Sequence, residues 1–409
     1  MASPTVNSPA IKSLAIKLPT IKLRPQRPDR LRHPWVYDNE IATGPPEGFE
    51  NGGVVDARGK TLGAGYLNGR SKIAVRYLTR RGDVPVDAAF WRSRIARAHE
   101  FRQAHYTEGD TLPVAYRLVH GEADSLPGLI VDVYGPFAVV QFLALGLEPW
   151  REAIIAALQD LLGPTGIYER SDSAVRRLEG LEERVGVLAG EPPPDELTLD
   201  DEGMTILADL KTGAKTGLFL DQRQNQKAAA NQARGRDVLN CFAYTGLFGL
   251  RAAQAGAKSV TDVEISPEFT ALGRRQWEGS GVAIPHSGVT ENVFDYLRSL
   301  EAGSYRTDMI VLDPPAFTKN RGSRDGAIRG YNEINRVALR LLRPGGVLVT
   351  CSCSHHLSAL EFREIVEGAA RDAGRTLKLI EQRGQPADHP VLLDAPESEY
   401  LKCLILAAE

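Results

Sequence analysis

The sequence predicts an α/β protein in three parts: a small β-barrel, a small central α+β domain, and a Rossmann-like domain with a doubly wound sheet. Three observations predict it. A chain of 409 residues exceeds one typical hydrophobic core. Its first eighty residues carry β-type runs broken by Gly, Pro and Asn, with no helical pattern between them. From Leu197 onward, strand and helix patterns alternate. Such alternation calls for parallel strands joined by crossover helices.

Residues 1–14 are rich in Pro and Ser and are expected to be disordered. The runs "AIKLP", "GGVVDARGKTLGAGYLN" and "KIAVRYLT" form the barrel, placed at 15–82. The central domain, 83–190, opens on the helical pattern "AAFWRSRIARAHEFRQAHY". Two β-rich runs in "LIVDVYGPFAVVQFL" then meet at Gly135-Pro136, a hairpin signal. "EPWREAIIAALQDLL" places apolar residues at helical spacing. The Pro-rich run "GEPPPDE" supplies a linker at 191–196, because Pro fixes an extended connection. The Rossmann-like domain takes 197–409, with strands at "DVLNCF", "SVTDVEI", "DMIVLD" and "GGVLVTCS". Helical stretches such as "TGLFGLRAAQAG" and "GYNEINRVALRLL" lie between them.

Composition narrows the class. With 43% hydrophobic and 25% charged residues, the chain reads as an ordinary globular protein. It contains no apolar run long enough to span a bilayer and opens on no secretory signal. Four cysteines do not make a disulfide framework in a chain of this length, so a cytoplasmic, reduced location is expected. The net charge of −3 hides an asymmetry: residues 1–85 carry +7, from 14 Lys or Arg against 7 Asp or Glu. The basic face is either plain solvated surface or a phosphate-binding module.

Ligands of an open parallel sheet sit beyond the carboxyl ends of its strands, so the strand ends carry the candidate residues. The first strand runs into "NCFAYTG", Asn240 to Gly246, which has no dinucleotide glycine cradle but brings backbone close to a smaller ligand. The second ends at Glu264, 18 residues after Gly246, as a ribose-binding carboxylate or as a helix first-turn acid before Ser266-Pro267. After the third, Glu291 or Asn292 is placed to accept from an exocyclic amine. The fourth ends in "DPPAF", where Pro314 and Pro315 stiffen the backbone and present Asp313 and Phe317. A rigid acid beside an aromatic ring suits a planar nitrogen heterocycle.

The fifth strand runs into "TCSCSHH". A metal site there lacks a second C-x-x-C or H-x-x-x-H, and none is expected. Cys241 and Cys403 lie inside apolar runs and read as buried thiols. Cys353 lies past the strand among Ser and His, where a thiolate can be stabilised.

The motifs together resemble one family. "LKTGAKTGLFLDQRQNQ", "VLNCFAYTGLF", "VLDPPAF", "RGYNEINRVALRLLRPGGVLVTCSCS" and "ADHPVLLDAPESEYLK" are similar to the RlmI-type class I S-adenosylmethionine methyltransferases, which form 5-methylcytosine in large-subunit (23S) ribosomal RNA. "RHPWVY", "YRLVHGEADSLPGLIVDVYG" and "IYERSD" extend the likeness over nearly the whole chain. The resemblance implies a PUA-type RNA-binding barrel, S-adenosylmethionine as cofactor and ribosomal RNA as partner, free or in an assembling large subunit. It implies Cys353 as nucleophile and Asp313 as the catalytic-loop acid, with Pro314, Pro315 and Phe317 against the base. Asp221, Gln222, Arg223, Asn240, Phe242, Tyr244, Thr245, Gly246, Glu264, Glu291, Asn292 and Asp313 fall at cofactor positions. Two departures stand out: Asn292 where Asp is usual, and Cys351 where an aromatic is common.

Two other readings remain at this stage. One is an amino-group methyltransferase for guanine or adenine, although Ala316 separates the prolines from Phe317 here. The other is a non-catalytic RNA-binding protein. No membrane partner is expected, and a homodimer is left open.

Overall fold

The computed structural model describes residues 20–25, 32–42, 49–56, 58–81, 84–317 and 324–409. The segment expected to be disordered and the "AIKLP" run lie outside these residues. Four sheets are present among them.

The first sheet orders Thr20–Lys22, Phe49–Val55, Thr61–Asn68, Ile73–Thr79 and Trp35–Tyr37. Gly63 and Gly65 permit its close packing, since a Cβ at either would meet backbone oxygen at 2.2 or 2.1 Å. The central sheet orders Arg184–Gly190, Gly166–Ser171, Phe137–Phe142, Leu129–Tyr134 and Ala115–His120. Its hairpin turns at Gly135-Pro136 as expected, with Gly135 at φ +52°. Helices Ala88–His105 and Arg151–Leu162 cover it with Trp91, Ile95, Ile154 and Leu158, all fully buried. Tyr66 and Leu78 of the first sheet join the same core, so those two units pack as one block. Arg76 bridges them further, bonding Glu122 at 3.0 Å and the buried Glu179 at 2.9 Å.

The C-terminal sheet has seven strands: β1 Asp237–Cys241, β2 Ser259–Glu264, β3 His286–Thr290, β4 Thr307–Leu312, β5 Leu342–Ser352, β6 Leu377–Arg383 and β7 Lys402–Ala408. Their order is β3-β2-β1-β4-β5-β7-β6. The runs at β4 and β5 are continuously apolar because helices cover both faces of a parallel sheet. Strand order reverses between β1 and β4, and the crevice for a ligand opens there.

Two features depart from the simple alternating pattern. A hairpin, Leu197–Asp201 with Met204–Ala208, precedes β1. Strand β7, the last in the chain, inserts antiparallel between β5 and β6. Its near-unbroken apolar run "CLILAA" cannot be assigned to an edge or a centre from local pattern, since only burial between two neighbours separates the cases.

Candidate active site

Pairing register brings the candidate residues to one end of the sheet. Cys241 of β1 pairs with Leu312 of β4, and Leu312 pairs with Thr350 of β5. The residues just beyond, Phe242, Asp313 and Cys353, therefore converge on one cavity of about 410 Å³. Asp221, Gln222, Tyr244, Thr245, Glu264, Asn292, Pro314, Pro315 and Phe317 also line it.

One half of the cavity is built from the turn after β1. Phe242 and Tyr244 hold positive φ, +60° and +52°, a conformation that costs a non-glycine residue about 1 kcal/mol or more and concentrates at ligand sites. Glu264 locks this turn: its Oε2 accepts from Tyr244 N–H at 2.9 Å and its Oε1 from Ser266 N–H at 3.0 Å. Each carboxylate oxygen keeps further lone pairs for a ligand. Thr245 Oγ1 is buried on the same wall with no partner in the protein. Asn292 caps the next helix, its Oδ1 accepting from Phe294 N–H at 2.9 Å, and the same oxygen can accept once more.

The other half holds a buried acid and a thiol. Gln222 Nε2 donates to Asp313 Oδ1 at 2.7 Å. Burial first, and the Asp221 charge second, push the Asp313 carboxyl up to about 7. Cys353 is the one cysteine that is not fully buried, and its Sγ lies 3.9 Å from the Pro314 carbonyl oxygen. Burial and the neighbouring Asp313 push its thiol up to about 11. Cys351, two residues earlier and still in β5, is fully buried opposite Cys403 of β7.

Four candidate positions face elsewhere. Arg223 is tied to Glu108 at 2.6 Å and to Asp201, which joins the central and catalytic units instead of reaching the cavity. Asn240 donates to Asp262 Oδ1 at 2.8 Å, inside the sheet. Gly246, at φ +81°, backs onto that carboxylate: a Cβ there would lie 2.7 Å from Asp262 Oδ2. Glu291 is exposed, and only its backbone N–H touches the site, at Glu264 O.

Other residues of the site carry no periodic or turn signal in the sequence. Lys215 lines the cavity and reaches Asp221 Oδ2 at 2.5 Å. Lys402 sits opposite Ser352 in the β5–β7 register and donates to Ser354 O at 2.7 Å. Burial pushes its ammonium down to about 8. Phe269 and Phe294 complete the apolar lining. All lie far from Cys353 in sequence or on a strand whose place in the sheet is set by tertiary pairing.

Comparisons with known proteins agree with this arrangement. The family model described as S-adenosylmethionine-dependent methyltransferase matches residues 175–406, and a PUA-like domain model matches 21–80. These matches define the class: a methyltransferase that uses S-adenosylmethionine and carries an N-terminal PUA-like domain. Ribosomal RNA large subunit methyltransferase I of Tolumonas auensis is 41% identical over 395 residues, 95% of this chain and 99% of that protein. The same-named protein of Klebsiella pneumoniae is 42% identical over 374 residues, 91% and 93% of the two chains. The chain belongs to the ribosomal RNA large subunit methyltransferase I family. In fold it is similar to SMU.776, a putative methyltransferase complexed with SAH (TM-score 0.82, 22% identity, 95% and 99% coverage). It is likewise similar to a putative SAM-dependent methyltransferase from Streptococcus mutans (TM-score 0.80, 23% identity, 95% and 100% coverage).

The cavity suits the cofactor of this class. A carboxylate with lone pairs remaining, an unpartnered hydroxyl and the apolar walls of Phe242, Phe269 and Val293 suit ribose hydroxyls and a flat heterocycle. No helix among the described residues is long and apolar enough to cross a membrane.

Proposed function

We propose that this chain forms 5-methylcytosine in large-subunit (23S) ribosomal RNA through a covalent adduct between Cys353 and carbon 6 of the target cytosine. The observation that carries the reading is the placement of Cys353 in the same cavity as Asp313 and Phe317, while the three other cysteines are fully buried. An amino-group methyltransferase needs no thiol there.

Carbon 5 of cytosine is too weak a nucleophile to take a methyl group unaided. The Cys353 thiol first loses its proton to solvent, a step that the nearby Lys215 and Lys402 charges favour. Addition of the thiolate to carbon 6 then moves the C5–C6 electron pair toward carbon 5 and divides one hard step into easier ones. Asp313 stands beside the same cavity, half-protonated near neutrality, and supplies a hydrogen bond to ring N3 as charge builds there. Phe317, packed against Tyr331 with ring centroids 4.6 Å apart, offers a face for the flipped base. When bound, S-adenosylmethionine supplies a methyl group carried on a positively charged sulfur. Loss of the carbon-5 proton and of sulfur from carbon 6 restores the aromatic ring, and Cys353 leaves as thiolate.

The division of labour follows the three units: 15–82 holds RNA, 83–190 and the 191–196 connection set its position, and 197–409 carries the chemistry. Glu264, Thr245 and Asn292 are assigned to the cofactor. Glu264→Ala is expected to weaken S-adenosylmethionine binding by about tenfold or more, since bonds to a charged acceptor contribute about 1.5–3 kcal/mol. Calorimetry reads the loss, and unchanged affinity removes Glu264 from the cofactor site.

The covalent step is tested with 23S RNA carrying 5-fluorocytosine, whose carbon-5 substituent cannot leave as a proton. The native protein should form an adduct that survives denaturation, with the cross-linked peptide containing Cys353. Methylation of ordinary RNA without any such adduct points to the amino-group reading.

A further inference from the structure

Two carboxyl groups share the reactive half of the cavity, and their surroundings drive them to opposite protonation states. Asp221 is 2% exposed. Its Oδ2 accepts from Lys215 Nζ at 2.5 Å and from Tyr400 Oη at 2.6 Å. Burial acts to raise its pKa, but the Lys215 ammonium beside it, with help from His389 and the Tyr400 bond, outweighs burial and holds the group ionised, below the usual carboxylate range. Asp313 goes the other way, as described above. Carboxyls pushed apart in this manner take the acid and acceptor roles of a site.

A chain of hydrogen bonds also distinguishes the two oxygens of Asp313. Arg383 Nε donates to Asn225 Oδ1 at 3.1 Å, and Asn225 Nδ2 donates to Gln222 Oε1 at 2.8 Å. The Gln222 amide therefore turns its NH₂ toward Asp313 Oδ1. The oxygen that accepts this bond serves as the carbonyl oxygen of the carboxyl, which leaves Oδ2 as the better place for the proton of the acid form. The second, independent observation concerns Asp221: its Oδ1 is buried in the wall of the cavity and has no hydrogen-bond partner in the protein. An ionised oxygen in that state lacks a donor that a ligand can bring.

We propose that Asp221 Oδ1 accepts a hydrogen bond from the exocyclic amine of the target cytosine while Asp313 Oδ2–H donates to its N3, so that the two acids select cytosine over uracil. The inference rests on the carbon-5 reading above. Cytosine presents an N4–H donor beside an N3 acceptor; uracil presents an O4 acceptor beside an N3–H donor. A carboxylate next to a carboxylic acid matches the first base at both atoms and opposes the second at both. Buried polar mismatches of this kind give the largest discrimination available to a binding site.

The test uses the full-length protein and two 23S RNAs, with adducts resolved under denaturing conditions. One is transcribed with 5-fluorocytidine triphosphate, the other with 5-fluorouridine triphosphate from a template changed to encode uracil at the position where the fluorocytosine adduct maps. The native protein should trap the fluorocytosine RNA faster by about a hundredfold or more. Asp221→Asn keeps the shape of the side chain, and its amide oxygen must stay at Lys215, which only donates. Its NH₂ then turns into the cavity, so that each base meets one match and one mismatch, and the preference of the variant for fluorocytosine RNA should fall to within a few-fold of none. In Asp313→Asn, the Gln222 bond holds the amide oxygen and leaves NH₂ facing N3, so preference for cytosine should persist even as trapping slows; this variant serves if Asp221→Asn does not fold. Retained cytosine preference in Asp221→Asn, or lost preference in Asp313→Asn, overturns the pairing. So does a tenfold loss of S-adenosylmethionine affinity in Asp221→Asn with base preference unchanged, which would place Asp221 on the cofactor's ammonium group. No adduct between the native protein and either RNA fails the carbon-5 reading and takes this inference with it.

Discussion

Cys353→Ala is expected to lose methyl transfer by on the order of a thousandfold or more, the scale seen when a nucleophile acting with its partners is removed. S-adenosylmethionine affinity should survive, because Glu264, Thr245 and Asn292 stand on strands other than β5 or on the turns that follow them. Cys351→Ala should keep most of the activity. Its thiol is fully buried in the apolar core beside Cys403, so its loss leaves a small cavity costing about 1–2 kcal/mol of stability and removes no reactive group. Methyl incorporation into 23S RNA and a thermal melt, run on both variants, separate the two effects. An inactive Cys351→Ala beside an active Cys353→Ala would exchange their roles.

Asp313→Asn is expected to make the protein less active and more stable at alkaline pH. The folded state raises this carboxyl from an ordinary 3.8 to about 7. Between those values the folded protein binds more protons than the unfolded chain, so the group's contribution to stability is greatest below about pH 4 and falls as pH rises through 7. Above pH 7 the native enzyme holds a charge in a place that disfavours it, at a cost of about 2–4 kcal/mol. The asparagine keeps the Gln222 bond and carries no charge. Its melting temperature should therefore exceed that of the native protein by several degrees at pH 8, with the difference shrinking toward pH 4. A difference that does not change with pH would show that Asp313 is ionised normally in the fold. The activity loss has the same origin: an amide cannot pass a proton to the ring nitrogen as charge develops. Stability surrendered at a reactive group is the usual relation between the two properties.

Much of this was legible from local pattern. Strands β1, β2, β4 and β5 have apolar runs of strand length, each followed by a turn and a helical period, and each leads directly into a residue of the cavity. The Gly135-Pro136 hairpin was legible for the same reason, since turn chemistry is local. Strand β7 was not. Its insertion between β5 and β6 depends on pairing with residues about fifty positions earlier, and nothing in "KCLILAA" encodes its neighbours.

The sequence by itself placed the candidate groups: an acid fixed by two prolines, a cysteine just past a strand, and a carboxylate after the second strand are properties of residue type and order. Which candidate side chains face the cavity was decided only by the tertiary structure. Arg223 and Asn240 stand in ligand-like positions along the chain, yet each side chain is drawn away by a carboxylate from another element, Asp201 and Asp262. Protonation was likewise decided there. Asp221 and Asp313 have the same ordinary pKa as isolated side chains. They diverge because folding sets Lys215 and Tyr400 against Asp221, and buries Asp313 beside the negative charge of Asp221. Charges brought together across ninety residues of chain interact strongly only where the fold has removed the water between them.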